Sequence, residues 1–186
     1  MNYYSIALFL HVVGAMGFFV ALGLEWTSLR QIRKATASEQ IRALMRVSNS
    51  TRRLGMVSML IILITGFYMM AIAWGAAAWI IVTLGSLVLV IVLGMTLTGP
   101  RMADIGRALA TEKGPVSPNL HALANRQLLW ISIQTRVAIA LGIVFLMTVK
   151  PGLVGSLLTI GVAIIFGLAS ALPMPRRARL QEGQAD

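Results

Sequence analysis

Residues 54–100 read LGMVSMLIILITGFYMMAIAWGAAAWIIVTLGSLVLVIVLGMTLTGP, and this stretch decides the fold. It contains no charged side chain and lies between Arg53 and Arg101. One membrane-spanning helix needs about 20 apolar residues, so the stretch is too long for one crossing and matches the length of two. The sequence therefore predicts a protein that crosses the membrane more than once.

The composition of the whole chain supports the same class. Of its 186 residues, 58% are hydrophobic and only 12% are charged, whereas soluble domains carry roughly 25% charged residues. The length matches one domain, and we expect residues 1–175 to form it, followed by a polar cytoplasmic tail at 176–186. Because the chain has no cysteine, it cannot form disulfides, thiolate metal sites or thiol redox centres.

Five apolar segments are predicted to cross the membrane. Each must be helical, because backbone groups in lipid find no water and have to form hydrogen bonds within the segment. The segments span about residues 3–24, 54–74, 77–98, 128–149 and 153–172. The predicted fold class is therefore all-α: a polytopic transmembrane bundle of five helices.

Basic residues predict the orientation of this bundle. They are concentrated in the two long loops and the tail, which contain Arg30, Arg33, Lys34, Arg42, Arg46, Arg52, Arg53, Arg101, Arg107, Lys113, Arg126, Arg176, Arg177 and Arg179. On the opposite side there is only Lys150. The positive-inside rule then places the N-terminus outside and the C-terminus in the cytoplasm, and we expect a bacterial cytoplasmic (inner) membrane.

The net charge of +10 has the same explanation. Basic side chains that flank apolar segments determine topology and contact anionic lipid headgroups. No base-reading motif accompanies them, so we do not expect nucleic acid to be a partner. The expected partners are membrane lipids, together with a second copy of the chain or other membrane subunits.

Both long loops are predicted to be partly helical. Thr36–Glu39 fits a capping box, with the threonine as the N-cap. The apolar faces around Ile41 and Ile105 are typical of helices that lie at a membrane interface. Ser117–Pro118 fits an N-cap followed by proline in the first helical position, so the fourth helix is expected to begin outside the membrane.

Arg136 is the most unusual residue of the fourth segment, because a charge within the membrane costs at least about 2.5–3.5 kcal/mol unless it finds partners. It lies about 12 Å inside the cytoplasmic end of the segment, at 1.5 Å per residue. Steps of 100° place His121, Asn125 and Ser132 on its side of the helix. Glu25 is the predicted ion-pair partner. Two interpretations remain open: a structural arginine, or an anion, lipid-headgroup or proton site.

His11 is the only histidine within an apolar segment. Tyr68 and Ser86 are expected at a similar depth, and a polar layer there could hold haem b, a quinone or a metal, because imidazole is a common ligand of haem iron and metals. The alternative is a histidine that forms hydrogen bonds with Tyr68 or Ser86 and joins helices. A bis-histidine haem is not favoured, because His121 lies near the cytoplasmic surface.

A stripe of small residues follows the fifth segment at intervals of four. Small residues at this spacing allow two helices to approach closely. The stripe consists of Thr159, Ala163, Gly167 and Ala171. It is predicted to pack either inside the bundle or in a dimer interface.

The first segment resembles the first helix of several bacterial membrane families. Residues 10–15 read LHVVGA and are followed by Phe18, Phe19 and Gly23. Similar helices occur in copper-resistance D-like proteins, in protoporphyrinogen oxidases of the HemJ type, and in predicted integral membrane proteins without a known activity. The resemblance to the oxidases implies haem binding by His11. That family also needs a membrane lysine, and segments two to four of this chain contain none.

The sequence contains no nucleophile–base pair, paired carboxylates, phosphate loop or metal-ligand cluster, so no catalytic or metal residue is predicted. The leading hypothesis is a small non-enzymatic membrane protein that serves as an accessory or complex-forming subunit. The second is a redox-linked protein that binds haem or a quinone through His11. The third is a small transporter or channel with Arg136 as its selectivity group.

Overall fold

A computed structural model describes residues 2–112 and 114–171, and this part of the chain is all-α apart from its connecting loops. The α-helices are α1 Tyr3–Ile32, α2 Ser38–Met69, α3 Ala78–Leu93, α4 Gly99–Thr111, α5 Pro118–Ala124, α6 Gln127–Val149 and α7 Leu153–Ala171. Two π-helical segments, Met70–Trp74 and Gly94–Thr98, extend α2 and join α3 to α4. The predicted tail at 176–186 lies outside the described residues.

Five helical stretches are long and apolar enough to cross a membrane, which confirms the predicted fold class. They span Tyr3–Ile32, Ser38–Trp74, Ala78–Thr111, Pro118–Val149 and Leu153–Ala171. The first three are longer than the predicted segments, because hydropathy marks only the apolar part of a helix, whereas in the fourth a separate helix, α5, precedes α6, which matches the predicted segment. Helical hydrogen bonding continues beyond the apolar part where the next residues are helix formers that find protein to pack against.

The two ends of the bundle differ in their chemistry. At one end, here called the hairpin end, Trp74 Nε1 donates a hydrogen bond to Tyr4 Oη at 3.1 Å, and Lys150 lies over the Trp74 ring. At the other, the arginine end, Ser38 N donates to Gly114 O at 2.9 Å. The arginine end is the predicted cytoplasmic side, and the orientation remains a prediction.

The loop helices of the arginine end form a protein core of their own. Ile41 of α2, Ile105 of α4 and Leu120 of α5 are fully buried and pack together with Leu29 and Ile32 of α1. The expectation that the faces around Ile41 and Ile105 lie at the membrane interface is therefore wrong. The apolar face of each helix is covered by protein, so it is not available to the headgroup layer.

The two predicted helix starts in the loops have opposite outcomes. Ser117 is the N-cap of α5, since its Oγ accepts a hydrogen bond from Leu120 N at 3.2 Å, and Pro118 follows it. Thr36 is not an N-cap, because α2 begins one residue later, after Ala37. The backbone N–H of Thr36 instead donates to the Gln40 side chain.

The small-residue stripe of α7 packs inside the bundle. A Cβ added to Gly167 would lie 2.6 Å from the Cα of Thr135 in α6, so the two helix backbones are in direct contact there. A Cβ added to Gly142 of α6 would lie 3.2 Å from the Cβ of Ala163, so the helices are also close at this position. The stripe is therefore an α6–α7 contact within the chain and is not free to form a dimer interface.

Candidate functional sites

Arg136 is 8% exposed and joins three parts of the bundle. Its Nη2 donates to Glu25 Oε1 of α1 and, at 3.3 Å, to Thr98 Oγ1 at the end of the π-helical segment Gly94–Thr98. The structure thus brings together the two residues that the sequence suggested as an ion pair. Because the carboxylate balances the guanidinium charge, the membrane interior holds a neutral pair instead of an isolated cation.

The π-helical segment Gly94–Thr98 shapes the surroundings of Arg136. The Thr98 and Ser132 hydroxyls form a hydrogen bond of 2.9 Å, and Ser132 Oγ also donates to Leu93 O at 3.3 Å. Gly94 leaves the space that the guanidinium occupies, since an added Cβ would lie 3.3 Å from Arg136 Nη1. Segments of this kind are frequent at functional sites, and this one fixes the arginine in place.

His121 and Asn125 do not continue this polar cluster. His121 lies on α5 and Asn125 is the C-cap of that helix, and helical bonding is interrupted at Asn125 and Arg126 before α6 begins. Asn125 Nδ2 donates to His121 O at 2.9 Å, and Asn125 Oδ1 accepts from Arg33 Nε at 3.0 Å. The interruption divides the expected stripe into a surface group at His121 and Asn125 and a buried group at Ser132 and Arg136.

His11 is buried between α1 and α2, where Thr65 is its partner. The distance from His11 Nδ1 to Thr65 Oγ1 is 2.9 Å, and Thr65 Oγ1 donates its own proton to Ile61 O at 2.6 Å. A hydroxyl has one proton, so His11 Nδ1–H is the donor of the first bond. In this tautomer the neutral ring carries its lone pair on Nε2, which has no hydrogen-bond partner among the described residues.

The two residues expected beside His11 lie elsewhere. Tyr68 is on the exposed flank of α2. Ser86 is buried in α3, but its hydroxyl donates to Val82 O at 2.7 Å within its own helix. Neither lines the cavity at His11, so the hydroxyl groups next to the imidazole come from other residues.

A cavity of about 180 Å³ extends from His11 to the hairpin end of the bundle. Its walls are mainly aliphatic, aromatic and methionine side chains of α1, α2, α3 and the π-helical segment Met70–Trp74. Thr83 of α3 also lines it, and the Thr83 Oγ1 atom is buried without a hydrogen-bond partner in the described part of the chain. The cavity wall is therefore largely apolar and includes a threonine whose enclosed hydroxyl lacks a partner among the described residues.

Aromatic and cationic groups surround the cavity at the hairpin end. Trp74 and Trp79 meet edge to face with ring centroids 5.8 Å apart. Lys150 Nζ lies 3.9 Å from the Trp74 ring centroid, a distance typical of cation–π contacts. Lys150 adopts a left-handed conformation, with φ of 53°, where the chain turns from α6 towards α7.

Sequence analysis missed Thr65, Thr83 and Thr98. Threonine is common in membrane helices, where its hydroxyl is usually satisfied by a carbonyl of the preceding turn. No signal in the sequence separates such a threonine from one that meets a side chain on another helix.

Among the described residues, no three histidine, aspartate or glutamate side chains cluster in a way that could hold a metal ion.

Comparison of the chain with family models, curated proteins and solved structures yields no match in any of the three. The likeness of the first helix to the families named above therefore remains a resemblance. The helices themselves support a multi-pass membrane protein.

Proposed function

We propose that this protein binds a small lipid-soluble molecule with a hydroxyl group, of the quinol class, in the cavity at His11. One observation carries the proposal: a largely apolar cavity of the bundle is lined by His11, whose Nε2 has no hydrogen-bond partner among the described residues, and by Thr83, whose enclosed hydroxyl has none either. A buried polar group left without a hydrogen bond costs about 1–3 kcal/mol. A ligand that supplies the missing bonds recovers this free energy on binding.

The polar groups favour the quinol over the quinone. His11 Nε2 can only accept a hydrogen bond in the tautomer that Thr65 selects. A quinol hydroxyl can donate to that nitrogen, whereas a quinone carries only carbonyl acceptors. A change of the Thr83 rotamer would bring its enclosed hydroxyl to the same ring, where it can donate or accept a hydrogen bond.

The volume of the cavity favours one aromatic ring over a porphyrin. An apolar cavity of about 150 Å³ holds benzene, and the cavity at His11 measures about 180 Å³. A porphyrin has four pyrrole rings, so it would fit only if the helices moved apart. The resemblance-based expectation of haem therefore gains no support from the cavity.

The other two hypotheses remain predictions. An anion selected by Arg136 would have to displace Glu25, because the ion pair occupies the guanidinium. A subunit role is compatible with quinol binding. The mass of the native particle in detergent tests that role.

The experiment is a titration of purified protein with a short-chain benzoquinol under anaerobic, reducing conditions, followed by quenching of tryptophan fluorescence. Trp74 and Trp79 line the cavity and report on it. We expect saturable quenching, with Thr83→Val weakening binding about tenfold through the loss of one hydrogen bond. Ser86→Ala is the matched control, because Ser86 lies one turn away on the same helix and outside the cavity.

Two results would overturn the proposal. The first is that Thr83→Val and a folded His11→Leu variant both bind the quinol as tightly as the parent does. The other is a Soret band in the visible spectrum of the purified protein that disappears in His11→Leu, which would assign the histidine to haem. Tighter binding of the quinone than of the quinol would contradict the tautomer argument specifically.

A further inference from the structure

Two arginines at the end of α1, Arg30 in its last turn and Arg33 at its C-cap, lack an acidic partner in the described part of the chain. All acidic side chains there are engaged elsewhere: Glu25 with Arg136, Glu39 with Arg42, Asp104 with Arg107 and Arg126, and Glu112 with Ser117. The charges of Arg30 and Arg33 are therefore not neutralised within these residues.

A pair of stacked tryptophans supports both guanidinium groups. Trp26 of α1 and Trp130 of α6 have ring centroids 5.9 Å apart and an interplanar angle of 26°. The Cζ atom of Arg30 lies 4.6 Å from the Trp26 ring, and that of Arg33 lies 5.6 Å from the Trp130 ring. Each contact is a cation–π interaction that restricts where the guanidinium can go.

A hydrogen bond orients one of the two groups further. Arg33 Nε donates to Asn125 Oδ1 at 3.0 Å, while Nη1 and Nη2 make no hydrogen bond within the described residues. A guanidinium stacked on an aromatic ring keeps its N–H edge free, and that edge matches the oxygens of a phosphate. Basic residues elsewhere at this end, such as Arg52 and Arg53, have no such aromatic support.

We propose that Arg30, Arg33 and the Trp26–Trp130 pair form a binding site for the phosphate of an anionic phospholipid. Tryptophan prefers the headgroup level of a bilayer, and the pair lies where the apolar part of α1 ends. Exposed Val20 lies nearer the membrane interior, about 80° around α1 from Arg30, and offers apolar contact to an acyl chain. A phospholipid supplies both the phosphate and the chain, whereas a free phosphate ion supplies only the first.

Native mass spectrometry of the detergent-purified full chain tests the site by titration with phosphatidylglycerol or phosphatidylcholine. We expect one phosphatidylglycerol to bind more tightly than phosphatidylcholine. The variant Arg30→Lys/Arg33→Lys keeps both charges but loses the planar forks, and we expect it to bind phosphatidylglycerol about tenfold more weakly. Arg30→Gln/Arg33→Gln should lose the preference for the anionic lipid.

The matched control is Arg52→Gln/Arg53→Gln, which removes two exposed charges from the same end of the bundle. We expect it to stay within about twofold of the parent, because distant exposed charges are screened. Equal losses in both glutamine variants, or full binding by the lysine variant, would show charge attraction without a site and overturn the proposal. Displacement of the lipid by millimolar inorganic phosphate would assign the site to a free anion and overturn it as well.

Discussion

Glu25 of α1 and Arg136 of α6 are 111 residues apart in the sequence, yet their side chains form an ion pair inside the bundle. Thr98 adds a hydrogen bond to the same guanidinium. The pair links the first and fourth membrane-spanning helices, which otherwise meet over a small area. It removes the cost of an isolated charge in the membrane and fixes the position of α1 against α6.

Loss of one partner of this pair should destabilise the fold. We expect Glu25→Gln to lower the free energy of unfolding by about 3–5 kcal/mol, because it leaves the Arg136 guanidinium, whose side chain is 9% exposed, without a counter-charge. Arg136→Met should cost less than this, because the carboxylate that it leaves belongs to a side chain that is 25% exposed and that water can reach. Unfolding in mixed detergent and dodecyl sulfate micelles, followed by circular dichroism, measures the change.

The control for this prediction is the charge swap Glu25→Arg/Arg136→Glu, which should recover part of the loss. If both single variants and the swap unfold like the parent, the ion pair makes no contribution to stability and the argument fails.

The contact between Gly167 and Thr135 predicts that the α6–α7 interface tolerates no added methyl group. Gly167→Ala should lower stability by about 1–3 kcal/mol, the usual cost of overpacking, because the obstacle is backbone and cannot rotate away. Gly161→Ala on the same helix is the control, since an added Cβ meets nothing within 4 Å there. Equal melting temperatures for the two variants would contradict the close approach.

The hydrogen bond between His11 and Thr65 should contribute a modest amount to stability. Thr65→Val keeps the shape of the side chain and removes the acceptor, and we expect a loss of about 0.6–2 kcal/mol, as for other hydrogen bonds between membrane helices. Thr148→Val is the control, because the exposed Thr148 hydroxyl bonds only to carbonyls of its own helix. If Thr148→Val lowers the free energy of unfolding as much as Thr65→Val does, the hydrogen bond between His11 and Thr65 makes no contribution of its own.

The predicted orientation can be tested directly, because the chain has no cysteine of its own. We expect a cysteine introduced by Ala76→Cys or Gly152→Cys to react with a membrane-impermeant maleimide in intact cells. Asn119→Cys at the arginine end should react only after the cells are permeabilised, because the positive-inside rule places that end in the cytoplasm. The reverse labelling pattern would show that the basic residues do not set the topology.

Much of the architecture could be predicted from local patterns. Charge-free apolar runs and the needs of backbone groups in lipid predict membrane helices, and the Ser117 N-cap is a signal within a few residues. The bounds of α1 and α2 could not be predicted, because they depend on whether the residues beyond the apolar run find a partner. Leu29, Ile32 and Ile41 do find one, in the core formed with α4 and α5.

The candidate site was predictable only in part. A buried arginine needs a counter-charge, and few acids are available, which pointed to Glu25. The partners of His11 were not predictable, since many hydroxyl residues share its depth and only the rotation of α2 and α3 selects Thr65 and Thr83 over Tyr68 and Ser86. The hydropathy of a segment is the same whichever way its helix is rotated about its axis, so it does not predict which side chains meet.

The sequence by itself determined that this protein lies in a lipid bilayer and that its apolar segments are helical. Long runs without charge favour the hydrocarbon interior, and backbone groups there must form their hydrogen bonds within the segment. Tertiary structure alone decided that the small residues of α7 meet α6, that Trp26 stacks on Trp130, and that a cavity opens beside His11. These features depend on how helices are rotated and spaced against one another. Packing between side chains far apart in the sequence sets that arrangement, and no local pattern encodes it.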